Sequence, residues 1–179
     1  MIDRARSEHG FTLIELLVAS VLLVVVLMAT LTALDTSKTL ATRDTERAHA
    51  VAEARTGLDR LLRELRHAQT VTARSPTSLT VTIARRGTIT AGVTFDCGVS
   101  HPTLAGTKRC VRRVGGSEEV LVDMVKPQAG DPDIFQYTLA GTVVRHVAIR
   151  LPIRLDGGRT AGGYTGRAIL RDGTELRNG

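Results

Sequence analysis

The chain reads as an α+β fold: a long N-terminal helix, membrane-compatible in its first half and amphipathic in its second, followed by an antiparallel β-sheet head. Three observations predict this. No charged residue occurs between Leu16 and Leu34. Apolar residues at Val51, Ala54, Leu58, Leu61, Leu65 and Ala68 then recur at alternating steps of three and four, the spacing of one helix face. Beyond Ser75-Pro76-Thr77 the period changes to two, and strand-like segments succeed one another with no helical stretch between them, a pattern that favours an antiparallel sheet.

The first half of the helix is a membrane-spanning candidate. With Phe11 to Leu34 as one helix rising about 1.5 Å per residue, the run reaches ~36 Å, enough for a hydrocarbon core of about 30 Å. Asp35, Lys38, Arg43, Asp44, Glu46 and Arg47 then restore a water-facing composition. Arg4 and Arg6, just before the run, are expected to hold the leader in the cytoplasm while the rest of the chain crosses. An ordinary secretory signal is the competing reading. It fits poorly, because the run exceeds the usual apolar region of about 7 to 15 residues and Leu31-Thr32-Ala33 is the nearest approach to its cleavage site. Glu15 alone breaks the apolar pattern. A carboxylate costs about 2.5 kcal/mol or more at the bilayer centre and less toward the edge, so it takes a partner: headgroup water or a neighbouring helix.

The segment Gly10-Phe11-Thr12-Leu13-Ile14-Glu15, behind a short hydrophilic leader and ahead of the charge-free run, resembles the class III signal of type IV pilins and type II secretion pseudopilins. The resemblance implies a pilin-like fold, cleavage between Gly10 and Phe11 by a prepilin peptidase on the cytoplasmic side, and N-methylation of the new terminus at Phe11. Cleavage would free an α-amine, of ordinary pKa near 8, one helical turn from Glu15. In a family-like assembly the acid of an incoming subunit meets the amine of one already in place, so that each desolvated charge finds an opposite one. Glu15 is thus read as a docking residue. The partners implied are the prepilin peptidase, other pilin or pseudopilin subunits, an inner-membrane assembly platform and membrane lipid. The implied location is the cytoplasmic membrane, then a cell-surface or periplasmic fibre. Many family members carry a kinking proline in the membrane segment, where this chain has Thr30 and Thr32.

The resulting division is a cleaved leader at 1–10, a transmembrane assembly helix at 11–34, an amphipathic stem at 35–72 and a β-rich head at 73–179. No proline precedes Pro76, so one nearly continuous helix is expected from Phe11 to about Val71, ~90 Å long, with Gly57 its weakest interior point. Asp59 with Arg63 and Arg60 with Glu64 are four apart and can pair along its surface. Packing of the Leu stripe on the chain's own sheet is preferred to a short coiled coil, for which the heptads are too few. Leu61-Leu62-Arg63-Glu64-Leu65-Arg66 resembles the region after the stem in minor pilins of the PilW and GspJ type, and the C-terminal part is loosely similar to the PilW type. That likeness implies a place at or near a fibre tip and a role in initiating assembly. Strands are expected at Leu79 to Ile83, Ile89 to Phe95, Arg109 to Val114, Val120 to Val125, Phe135 to Leu139, Val143 to Leu155 and Tyr164 to Arg171. The glycine-rich 156–163 is read as a surface loop, since a phosphate cradle would need a helix after it.

The formal charge of +6 and the pI near 10.1 permit binding to lipid headgroups, wall polymers or nucleic acid. Aromatics at 3% and the absence of Trp argue against a base-stacking platform. Cys97 and Cys110 both fall in the exported part and are expected to close a local disulfide loop. A zinc site would need His101 and a fourth ligand that the sequence does not supply, and two reduced thiols are the remaining alternative. His9, His49, His67, His101 and His146 form no ligand-spaced pair, and Ser100-His101 lacks a nucleophile-elbow context. Asp131-Pro132-Asp133 is read as a turn in preference to a calcium loop. Arg85-Arg86 and Arg109 with Arg112-Arg113 are candidates for contact with DNA phosphates, Arg112 and Arg113 foremost, but are read in preference as solvated edge-strand residues. The reading is a non-enzymatic minor pilin or pseudopilin subunit with no cofactor and no metal. The alternative is a competence-type pilin whose basic head binds DNA during uptake.

Overall fold

The computed structural model describes residues 12–85, 87–155 and 166–176. Gly10, Phe11, Arg86, the glycine-rich 156–163 and the start of the strand expected from Tyr164 lie outside the described residues. One helix, α1 (Leu13–Leu65), precedes β1 (Ala68–Arg74), β2 (Ser78–Arg85), β3 (Thr88–Ser100), β4 (Lys108–Val114), β5 (Ser117–Val125), β6 (Phe135–Ala140), β7 (Val143–Arg154) and β8 (Arg167–Glu175). The arrangement is α+β, the long helix packing on an eight-stranded antiparallel sheet. The chain divides into two compact units, Met1–Arg43 and Asp44–Gly179.

In the first unit α1 begins with a cap. The Glu15 N–H lies 3.3 Å from Thr12 Oγ1 and 3.1 Å from the Thr12 carbonyl, so Thr12-Leu13-Ile14-Glu15 has the Thr-x-x-Glu spacing of a capping box and Thr12 serves as N-cap. Among the described residues the helix therefore starts at Leu13. Farther along, the hydroxyls of Ser20, Thr30, Thr32, Thr36 and Thr42 donate to carbonyls three or four residues earlier at 2.8 to 3.0 Å. Such back-bonding satisfies a hydroxyl without water, which suits Ser20, Thr30 and Thr32 to an apolar surrounding.

In the second unit the stripe predicted from spacing is the buried face: Ala54, Leu58, Leu61, Leu62 and Leu65 are all nearly or fully buried. They join Leu79, Val81, Val93, Phe95, Leu121, Val122 and Val125 in one core with Phe135, Ile149, Leu151 and Ile153. Gly57 lies on that face, and its missing side chain lets the helix approach β5, for a Cβ built there would fall 2.1 Å from the Leu121 carbonyl oxygen.

The helix expected to continue to about Val71 instead ends at Leu65, and Ala68–Arg74 is strand β1. Thr70, Val71 and Thr72 are β-branched and pack better on a pleated surface than in a helical turn. Their backbone pairs with β2 from Ala68↔Ile83 to Arg74↔Leu79. Ser75-Pro76-Thr77, expected to stop the helix, makes the β1–β2 turn: Ser75 Oγ accepts the Ser78 N–H at 2.8 Å, and the Ser75 N–H donates to the Ser78 carbonyl at 2.8 Å.

The sheet order is β1-β2-β3-β4-β5-β7-β6, with β8 also pairing β7. Gly115 and Gly116, at φ 54° and 84°, supply the two left-handed residues of the tight β4–β5 turn. β7 pairs β8 through nine consecutive positions but meets β5 at one, Val125↔Ile153. Tyr137 on β6 reaches back to the β1–β2 turn, its hydroxyl 2.9 Å from the Ser75 carbonyl and 3.1 Å from that of Ser78. Burial is the main cause that pushes the Tyr137 pKa up to about 12.

Candidate processing and assembly segment

The N-terminal part of α1 presents its apolar side chains outward. Leu16, Leu22, Leu23, Val26, Met28 and Leu31 are each more than half exposed. None of the most apolar window is buried inside the protein, and among the described residues α1 is the helix long and apolar enough to cross a membrane. An apolar surface of this extent is stable when lipid or another protein covers it. Glu15 stands in the first turn, where the helix dipole favours an acid and where its own N–H meets the Thr12 cap. The expected cleavage and methylation positions, Gly10 and Phe11, lie outside the described residues.

The head holds the other predicted residues. Cys97 on β3 and Cys110 on β4 are joined in a disulfide. Both are buried, beside the irregularity between Asp96↔Val111 and Val99↔Arg109. Among the described residues no group of His, Cys, Asp and Glu is arranged to hold a metal. His101 is committed to the loop after β3: its Nδ1 accepts the Leu104 N–H at 3.1 Å and the Thr103 N–H at 3.2 Å, and its Nε2 lies 3.4 Å from Asp123 Oδ2. Arg109 Nε bonds the other oxygen of Asp123.

The arginines considered foremost for DNA contact are held by carboxylates. Arg112 Nε lies 2.6 Å from Glu64 Oε2, and Arg113 bonds Glu118 at 2.7 Å and Asp96 at 3.0 Å. These acids, Glu118 foremost, raise the Arg113 pKa above its ordinary value. Arg60 donates to Glu119 Oε2 at 2.8 Å, so Glu64 pairs with β4 and not with Arg60, four residues before it on the helix. Asp131 does not have the environment of a calcium ligand. Arg167 Nη2 approaches its Oδ1 to 2.7 Å, Arg150 Nη1 approaches the same oxygen to 3.3 Å, and the Gln128 N–H bonds Oδ2 at 2.8 Å. The Arg167 bond is the largest cause that lowers the Asp131 carboxyl to about 2. Sequence reasoning missed this cluster, since its members stand on a loop and two strands.

No curated protein and no solved structure matches the chain. Residues 5–31 match the family model described as the prokaryotic N-terminal methylation motif. The matched stretch includes Gly10, Phe11, Glu15 and much of the exposed apolar helix. The chain thus carries the class III signal of prokaryotic N-terminal methylation, consistent with a type IV pilin-like protein.

Proposed function

We propose that this protein is a non-enzymatic structural subunit of a type IV pilus or type II secretion pseudopilus. In this reading the precursor sits in the cytoplasmic membrane through residues 11–34, with Arg4 and Arg6 on the cytoplasmic side and the head outside. A prepilin peptidase removes residues 1–10, Phe11 is N-methylated, and Glu15 docks against the Phe11 amine of a neighbouring subunit at an inner-membrane assembly platform. The likeness of Leu61 to Arg66 to the PilW and GspJ type favours a minor subunit at or near a fibre tip. One observation carries the proposal: the methylation motif coincides with the part of α1, Leu13 to Leu34, whose large apolar side chains are all exposed. DNA capture through Arg112 and Arg113 is less well supported, because phosphates would have to displace Glu64, Glu118 and Asp96.

Mass spectrometry of the mature N-terminus tests the processing step. The expected terminus is N-methylated Phe11; recovery of a chain beginning at Met1, or anywhere other than Phe11, overturns the assignment. A pair of substitutions separates docking from helix initiation. Glu15→Gln keeps the polar capping-box residue but removes the charge, so it should impair assembly as severely as Glu15→Leu; full assembly of the Gln variant would leave Glu15 a helix-starting residue only.

A further inference from the structure

The β7–β8 pairing runs without irregularity from His146↔Glu175 to Arg154↔Arg167, and directly opposed residues share a face of the sheet. Leu151, Ile153 and Leu170 turn into the core. The alternate positions set Arg150 opposite Arg171 and Arg154 opposite Arg167, with Pro152 and Ile169 between them. Like charges so placed repel, and three of these arginines are largely withdrawn from water. The Arg150 and Arg167 side chains are 14% and 16% exposed, and Arg154 is buried with Nη1 3.5 Å from the buried Thr107 hydroxyl. Asp131 meets both Arg150 and Arg167, which leaves two guanidiniums sharing one carboxylate. Its depressed pKa comes first from the Arg167 hydrogen bond and then from the Gln128 N–H. Among the described residues, Arg150 Nε and Arg167 Nη1 are buried with no hydrogen-bond partner. A charged donor buried without an acceptor is costly, and in native proteins it commonly marks a place for water or an ion.

We infer that Arg150 and Arg167, positioned by Asp131 and flanked by Arg154, form a site for a small oxyanion of the phosphate class. Guanidinium forks match tetrahedral oxyanions in both geometry and charge. Among the described residues, the two buried donors that Asp131 leaves over, and two guanidiniums on its one carboxylate, suit one anionic group. Asp131 orders the arginines and also competes with the ligand for them. The same chemistry is offered by free phosphate and by a phosphodiester such as a lipid headgroup or wall polymer presents.

The test is thermal unfolding of the full-length chain in uncharged detergent micelles. Inorganic phosphate or glycerophosphoglycerol, a soluble phosphodiester, is titrated against sodium chloride of equal ionic strength. Phosphate a hundredfold above its Kd should raise Tm by about 8 °C. Arg167→Gln should abolish the rise, and Asp131→Asn, which removes the competing carboxylate, should enlarge it. Response to the diester alone assigns the site to a headgroup or wall polymer; response to inorganic phosphate alone assigns it to the free ion. Tm values in both anions no higher than in chloride, for the wild type and Asp131→Asn alike, would overturn the inference. So would an undiminished rise in Arg167→Gln. If Arg167→Gln does not fold, the comparison of Asp131→Asn with the wild type decides.

Discussion

Replacing Gly57 with Ala sets two effects of opposite sign against each other. Inside an exposed helix this change stabilises by about 1 kcal/mol, because Gly carries the larger backbone entropy cost. Here the new Cβ would lie 2.1 Å from the Leu121 carbonyl oxygen, 2.7 Å from Val122 Cγ2 and 2.8 Å from the Leu121 carbonyl carbon. Ordinary contact needs more than 3 Å, and the nearest obstacles are backbone, so α1 and β5 must separate by roughly 1 Å. Ala54, Leu58 and Leu61 lie on the same buried face and would lose contact with the sheet together. Overpacking of a tight core costs about 1 to 3 kcal/mol, and more where the backbone has to move. The clash therefore outweighs the propensity gain, for a net loss of about 2 kcal/mol and a Tm lower by about 5 °C. Thermal unfolding of full-length wild type and Gly57→Ala in detergent, followed by circular dichroism, reads the difference directly. A variant as stable as the wild type, or more stable, would refute the close-approach argument and leave helix propensity in control.

Other expectations concern the head. Because the Asp131 carboxyl is held at about 2 against an ordinary 3.8, its contribution to stability is complete above pH 4 and is lost as pH falls toward 2. Tm measured from pH 5 to 2 should fall more steeply for the wild type than for Asp131→Asn; parallel curves would show that the carboxylate is not coupled to folding. Tyr137, pushed up to about 12 from 10.0, stabilises the protonated side: the contribution is intact below pH 10 and lost as pH rises through 12. Absorbance titration should resolve a late-ionising tyrosine that Tyr137→Phe eliminates, and that variant should be destabilised by about 1 kcal/mol through its lost hydrogen bond. With Cys97 and Cys110 each 1% exposed, dithiothreitol should leave the bond intact in the folded head and reduce it once the head unfolds. Reduction is then expected to lower stability by about 3 kcal/mol, as for a loop of roughly 15 residues. Rapid reduction without loss of structure would contradict the burial.

Patterns of short range were readable in the chain and partnerships of long range were not. The Leu stripe and the strands at Leu79 to Ile83 and Ile89 to Phe95 rest on local period, and they fell where expected. The helix end did not, because Ala68 continues the helical spacing of Leu61 and Leu65; the β-branched Thr70-Val71-Thr72 was the contrary signal, and pairing with β2 decided the matter. Gly57 stood out as a weak helical residue, yet its position three residues after Ala54 and one before Leu58 put it on the buried face, where absence of a side chain is the useful property. Basic residues were harder to place, since the acids that hold Arg112 and Arg113 include Glu64 and Asp96, 48 and 17 residues distant. Arg150 and Arg167 likewise converge on Asp131 only after β7 and β8 have paired.

The solitary Val125↔Ile153 rung joining β5 to β7 gives the head a line of least resistance. On one side lies a ribbon from β1 to β5, internally riveted by the cystine; on the other lies a ribbon of β6, β7 and β8. The rivet cannot restrain their parting, because both of its ends belong to the first ribbon. The divide is spanned near the rung by the Lys126 N–H on the Pro152 carbonyl at 2.8 Å, and away from it by Tyr137 on the β1–β2 turn, with the Phe135 N–H on the Pro76 carbonyl at 3.0 Å. A tensile load that parts the ribbons would thus open the short seam at Val125 and Lys126 and pivot about the contacts on the β1–β2 turn.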